Sequence, residues 1–289
     1  CSSRCARAAN DLPIISPEVC GLPGCVELTL RHWQTQQSLG YCCKQHEERA
    51  SAHFEVQPSE PNIDRAFRSS QGPKHFLIGL LSTSHEDYES IKQQFLGNWV
   101  KSDPAKHVTL KRIFKLQVPQ NVIARYLDYS RRATNVRRRF HGTSSSPACS
   151  FFVDLRGGPC CKKECNVCNI CENGFKFHHS GDTARKTGVS LRYGKGFYFS
   201  SISGKANDYA RRSEKVDEDT NKVRIMFLVN VVVGRAFKTT EGRLPPEQCP
   251  PKGYDSVVGE AGKDLNYDEV VVYKEEALCP THIVAYIVK

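Results

Sequence analysis

The stretch Val223-Arg-Ile-Met-Phe-Leu-Val-Asn-Val-Val-Val233 decides the fold class. Its apolar part, Met226 to Val233, is the longest in the chain and is broken only by Asn230. A bilayer-spanning helix needs about 18 apolar residues, so this run does not qualify, and it reads as one long strand. Downstream, Glu269–Tyr273 and Ile283–Val288 read as two short strands that form a closing hairpin. Upstream, the chain becomes β-rich from Val136 onward. Before that point lie a strand over Phe76–Leu81 and a helix capped by Ser84 with Asp87 at N3. Tyr88, Ile91, Phe95 and Trp99 follow at helical spacing and belong to a core. A strand over Val108–Val118 and a helix over Val122–Arg132 come next, the helix with Val122, Tyr126 and Tyr129 on one face. Helices early and strands late predict an α+β fold rather than a wound βαβ sheet.

The chain has 289 residues, 39% of them hydrophobic and 25% charged. That composition excludes collagen, low complexity and wholesale disorder. At this length a sizeable core forms without disulfide staples. Because the chain starts at Cys1 and its only methionine is Met226, a processed form or a fragment is expected. Residues 56–74 carry Pro58, Pro61, Ser69, Ser70, Gly72 and Pro73 with little periodicity and read as a linker between a 1–55 segment and a 75–289 domain.

The net charge is +10, from 41 Lys and Arg against 31 Asp and Glu. Nearly all the excess lies in residues 101–140, which hold eleven Lys and Arg against two Asp, with five arginines between Arg131 and Arg139. Such a block attracts nucleic acid or another polyanion through phosphate neutralisation, or it is simply a solvated face. The absence of an aromatic ladder among these arginines speaks against single-strand binding.

Twelve of the 14 cysteines fall into two clusters: Cys1, Cys5, Cys20, Cys25, Cys42 and Cys43, then Cys149, Cys160, Cys161, Cys165, Cys168 and Cys171. Close Cys spacing in a large, Lys-rich chain favours zinc over a disulfide framework, which would need an oxidising compartment. In the first cluster Cys20, Cys25, Cys42 and His46 make a tetrahedral set, giving a small zinc-finger-like segment over 1–55. Cys1 and Cys5 look like the second half of a finger cut away. In the second, Cys149, Cys160, Cys165 and Cys168 make a C-x10-C-x4-C-x2-C set, with Cys171 an alternative to Cys160. The metals are structural. An intracellular location, nuclear or cytoplasmic, and no membrane partner are expected.

Several chemistries lack their signatures. There is no G-x-x-x-x-G-K-[ST] loop, no G-x-G-x-x-G after a strand, no H-E-x-x-H and no G-x-S-x-G. Three other stretches stand out: Phe140-His141-Gly142-Thr143; Tyr193-Gly194-Lys195-Gly196-Phe197-Tyr198-Phe199 followed by Lys205-Ala206-Asn207-Asp208-Tyr209; and Leu265-Asn266-Tyr267-Asp268-Glu269-Val270-Val271-Val272-Tyr273. Singly, each has an ordinary explanation as a turn, a tight bend or a solvated strand edge.

In this order they resemble the catalytic domain of the poly(ADP-ribose) polymerase family, over about residues 75–289. The run Gly253-Tyr254-Asp255-Ser256-Val257 and the ending Pro280–Val288 are similar to that family too, and the cysteines look most like its fungal members. The resemblance implies an ADP-ribosyltransferase fold, two packed antiparallel sheets with flanking helices, carrying a cysteine-rich insert at 149–171. It implies NAD as substrate, transfer of ADP-ribose to a macromolecular acceptor (one unit or a chain) and release of nicotinamide. Departure of nicotinamide leaves the ribose oxocarbenium-like, as in glycoside chemistry. By the resemblance, His141 bonds the adenosine ribose and Gly142, with Thr143 beside it, takes the carboxamide through its backbone. Tyr198 and Tyr209 sandwich the nicotinamide ring, and Glu269 bonds the nicotinamide ribose and stabilises the developing cation. At Ala206 the family has a serine whose hydroxyl bonds the carboxamide. A protein acceptor is expected, and nucleic acid could bind the basic stretch and the N-terminal fingers. The competing reading is a weak or inert zinc protein that serves as a binding module.

Overall fold

The computed structural model describes residues 76–100, 107–147, 149, 160, 162–180, 191–210 and 223–289, together with two N-terminal strands. These strands, β1 (Pro13–Val19) and β2 (Leu28–His32), pair antiparallel and run beside β3 (Leu77–Leu80). Where a finger is expected, 13–19 and 28–32 thus pair as a two-stranded ribbon. The expected ligands Cys20, Cys25, Cys42 and His46, with Cys1, Cys5, Cys43 and the linker 56–74, lie outside the described residues.

After β3 come α1 (Glu86–Gly97), β4 (Val108–Gln117), α2 (Gln120–Arg132) and β5 (Val136–Gly142). Then follow α3 (Asn166–Asn173), β6 (Phe197–Phe199), α4 (Ser203–Asn207) and β7 (Arg224–Val232). The chain closes with β8 (Ala236–Thr239), β9 (Ser256–Gly259), β10 (Glu269–Val272) and β11 (Leu278–Val288). The strands form a five-stranded sheet, β3-β4-β11-β7-β5, and a four-stranded sheet, β6-β10-β9-β8. The class is α+β with two sheets, as expected.

β7 sits between β11 and β5, which explains why it is apolar at nearly every position. Ile225, Phe227, Val229 and Val231 enter the larger core with Ile283, Ala285 and Ile287 of β11. Phe197, Phe199, Val270 and Val272 of the other sheet close the same core, as do Val122, Ile123, Tyr126 and Tyr129 of α2. Met226 and Leu228 point the other way, with Val284 and Tyr286, against Ile91 and Phe95 of α1. There Phe95, Trp99 and Tyr286 pack ring to ring at 5.1 to 5.5 Å. A fully buried side chain such as Phe95 contributes roughly 1.5–3 kcal/mol.

Three expectations are corrected. The strands at Glu269–Val272 and Leu278–Val288 are not a hairpin. β10 pairs with β6 and β9, whereas β11 pairs with β4 and β7, so the short turn between them crosses from one sheet to the other. The sheets are not both antiparallel, because β8 and β9 run parallel, joined by the long crossover 240–255. Helix α1 is capped by His85 rather than Ser84: the His85 Nδ1 accepts from the Asp87 amide at 3.1 Å, and the Ser84 hydroxyl is engaged with that of Ser82. Among the described residues no helix is long and apolar enough to cross a membrane.

Candidate active site and thiol cluster

The two sheets touch at their edges. β5 ends one sheet and β6 ends the other, and Phe140 exchanges two backbone hydrogen bonds with Ser200, at 2.9 and 3.2 Å. Beyond this bridge the sheets part around a cleft of about 570 Å³, a volume usual for small-molecule sites. His141, Gly142 and Thr143 enter it from β5, Tyr198 from β6, and Glu269 from β10. Lys205, Ala206 and Tyr209 come from α4 and the turn behind it. The structure therefore brings together every expected donor-side residue.

His141 places Nδ1 2.9 Å from the Tyr198 carbonyl oxygen. A carbonyl only accepts, so Nδ1–H donates and Nε2 is left as an acceptor. Burial, partly opposed by that bond, pushes the ring's pKa down to about 4, and the ring packs edge-on against Phe175. His282 on β11 is likewise pushed down to about 4 by burial. The unfolded chain binds both protons near pH 6.5, but the folded chain resists them until about 4. Stability carried by these rings is present above pH 6.5 and falls as the pH drops towards 4. Thermal midpoints should decline over that window, ahead of carboxylate protonation, and a flat profile there would contradict the assignment.

Only glycine fits at position 142. A Cβ there would lie 1.8 Å from the carbonyl oxygen of Ala206, so the end of β5 lies directly against α4. The Tyr198 hydroxyl donates to the Gly194 carbonyl at 2.7 Å and accepts from the Tyr193 amide at 3.0 Å. Its ring is thus held at the tip by the Tyr193–Gly194 bend, whose Gly194 adopts φ 67°. Tyr209, behind α4, is 52% exposed. Glu269 is 5% exposed. One carboxylate oxygen lies 3.1 Å from the Lys205 ammonium, while the other is buried with no hydrogen-bond partner. A buried acceptor left unpaired costs about 1–3 kcal/mol or more, so this atom is suited to a ligand hydroxyl.

Lys205 stands in one of the quoted motifs but carries no sign of a role in the sequence. Nor does the wall supplied by Asn166, Asn169 and Asn173 of α3. Of the arginine run, Arg139 turns inward to Asp268, 3.6 Å away, so the run is not one solvated face.

Cys149, Cys160, Cys165 and Cys168 place their sulfurs within 4.8 Å of one another. Cys168 lies 3.7 Å from Cys149 and 3.9 Å from Cys160. Tetrahedral zinc with Zn–S of about 2.3 Å demands sulfurs roughly 3.8 Å apart, whereas a disulfide needs about 2.05 Å. None of the seven described cysteines is in a disulfide. Cys165 occupies the N-cap of α3 and Cys168 its first turn. Hydrogen bonding with Cys149 comes first among the causes that drive Cys165 well below and Cys168 well above the usual thiol range. Cys171, the alternative ligand, is buried nearby but does not belong to this group of sulfurs. The set is compatible with zinc and forms the base of the helix whose asparagines line the cleft.

Residues 162–288 match the family model described as the poly(ADP-ribose) polymerase catalytic domain. The match contains Tyr198, Ala206, Tyr209 and Glu269 and begins after His141-Gly142-Thr143. No curated protein matches the chain.

Proposed function

We propose, from the match of residues 162–288 to the poly(ADP-ribose) polymerase catalytic domain, a domain of the ADP-ribosyltransferases, that the protein is an active NAD-dependent transferase. It moves ADP-ribose to a macromolecular acceptor, a protein first of all, and releases nicotinamide. The observation that carries this reading is the buried Glu269 carboxylate, with one oxygen on Lys205 and the other unpartnered.

In this reading Glu269 accepts a hydroxyl of the nicotinamide ribose through its unpartnered oxygen. Its charge then faces the positive charge that develops as the glycosidic bond breaks, where a fixed countercharge in a water-poor site acts most strongly. His141 accepts the adenosine-ribose hydroxyl at Nε2. The Gly142 backbone holds the carboxamide, with Thr143 beside it, and Tyr198 and Tyr209 flank the ring. The catalytic domain spans 75–289 with its cysteine-rich insert at 149–171. Structural zinc is held by Cys149, Cys160, Cys165 and Cys168, and a second by Cys20, Cys25, Cys42 and His46. Incubation with labelled NAD tests the reading. Free nicotinamide and automodified protein are expected.

Ala206 favours a second reading, a weak or inert zinc protein that binds nucleic acid or protein, with Arg131 and Arg132 exposed on α2. Absence of any nicotinamide release would select it. If the first reading holds, Ala206→Ser restores one neutral hydrogen bond at a position that lines the cleft. NAD or a nicotinamide mimic should then bind up to about tenfold tighter, the ceiling set by about 1.4 kcal/mol. Calorimetry on both proteins measures it, and unchanged affinity would show that the hydroxyl finds no carboxamide there.

A further inference from the structure

Asp268 stands directly before Glu269 and does not line the cleft, yet its carboxylate gathers three segments of the chain. One oxygen accepts from the Ser200 hydroxyl at 2.8 Å, the Ser201 amide at 2.9 Å and the Ser201 hydroxyl at 2.8 Å. The other lies 3.1 Å from the same amide and 3.6 Å from Nε of Arg139 on β5. Its backbone carbonyl accepts from the Lys205 ammonium at 2.9 Å, and that ammonium is the partner of Glu269 at 3.1 Å.

We propose that Asp268 is the positioning residue that sets the Glu269 carboxylate for donor cleavage. The inference rests on the transferase reading above. The turn 200–202 wraps around the Asp268 carboxylate and leads directly into α4, which carries Lys205. Glu269 follows Asp268 in the chain. One carboxylate therefore anchors both members of the Lys205–Glu269 pair, and Arg139 ties the assembly to the strand that delivers His141. The network holds two negative and two positive groups, so each charge taken from water meets an opposite one. A neutral side chain cannot accept from so many donors at once.

The role separates from simple stapling by its kinetics. Glu269 acts on the developing charge, so moving it lowers kcat, whereas His141 and Gly142 are still held by the pairing of β5 with β7, and Tyr198 by the bond of its hydroxyl to the Gly194 carbonyl. A misplacement of about 1 Å can cost about a hundredfold, and that is the expected loss of kcat for nicotinamide release in Asp268→Ala, with KM for NAD within about threefold. Asp268→Asn keeps one carbonyl acceptor for the Ser201 amide and should recover most of the loss, with kcat remaining several-fold to about tenfold below the parent. Wild-type kcat in the alanine variant, or KM rising in step with the fall in kcat, overturns the proposal. If the alanine variant does not fold, the asparagine variant decides alone. A several-fold lower kcat at unchanged KM supports the role, and parental kcat or a parallel rise in KM overturns it. Failure of the parent protein itself to release nicotinamide is a different result, which overturns the transferase reading and this inference with it.

Discussion

Glu269→Gln should lower nicotinamide release and ADP-ribose transfer by about a thousandfold, close to 4 kcal/mol of transition-state stabilisation. The substitution keeps the shape of the side chain and one acceptor oxygen, so a ribose hydroxyl in the cleft retains a partner. What it removes is the negative charge, which matters only once the glycosidic bond has begun to break. The fall should therefore appear in kcat, with KM for NAD within about threefold. The fold should survive, because the Lys205 ammonium, although it loses its ionic partner, still donates to the Asp268 carbonyl at 2.9 Å. Steady-state release of labelled nicotinamide, with NAD binding followed separately by calorimetry, measures both quantities. A glutamine variant that works at the parental rate would remove Glu269 from the chemistry. One that loses NAD binding in proportion to rate would make Glu269 a ground-state anchor instead.

What was legible in the sequence follows from how local each feature is. The strand at β7 could be read because a central strand buried on both faces needs an apolar residue at nearly every position, and that pattern lies within one segment. The α1 and α2 core faces could be read from helical spacing for the same reason. The hairpin at β10 and β11 could not, since two strands joined by a short turn carry no local sign that they join different sheets. Their partners, β6 and β9 for one and β4 and β7 for the other, lie far away in the chain. The parallel pairing of β8 with β9 is hidden in the same way. At the site, His141, Tyr198 and Glu269 stood out through the order of three motifs. Asp268 and Arg139 did not: an Asp-Glu pair opening a strand looks like a solvated edge, and an arginine within a basic run looks like one more surface charge. Only the meeting of β5, the turn after β6 and the start of β10 turns these ordinary charges into one network. The thiol set was legible because metal ligation leaves a spacing signature. Cys160 is preferred over Cys171 on spacing, and the structure groups the Cys160 sulfur with the other three.

Removal of metal should disable the donor cleft without dissolving the fold. The purified protein is expected to contain zinc, and Cys168→Ser is expected to lose one equivalent of it, because four sulfurs within 4.8 Å form a complete tetrahedral set and three do not. With a metal bound, local stability at α3 would depend on it: Cys165 stands at its N-cap and makes no side-chain capping bond there, and a metal bond would take the place of the usual cap. Downstream of α3, Gly174 packs against Val122 and Phe175 packs edge-on against His141. Loosening α3 therefore withdraws the wall formed by Asn166, Asn169 and Asn173 and the support of the His141 ring in one event. The five-stranded sheet, buried between α1 and the larger core, does not share this dependence. Loss of a structural metal typically costs several kcal/mol, and a fall in the thermal midpoint of roughly ten degrees is expected. NAD affinity should drop at least about tenfold, while amide exchange stays slow in β7 and β11 and accelerates over 162–180. Metal analysis, calorimetry and hydrogen exchange on the parent and Cys168→Ser proteins measure these outcomes. Purified protein free of zinc, or a disulfide between Cys149 and Cys160, would end the metal assignment. Unchanged NAD affinity in a protein that has lost the metal would show that the cleft wall stands without it.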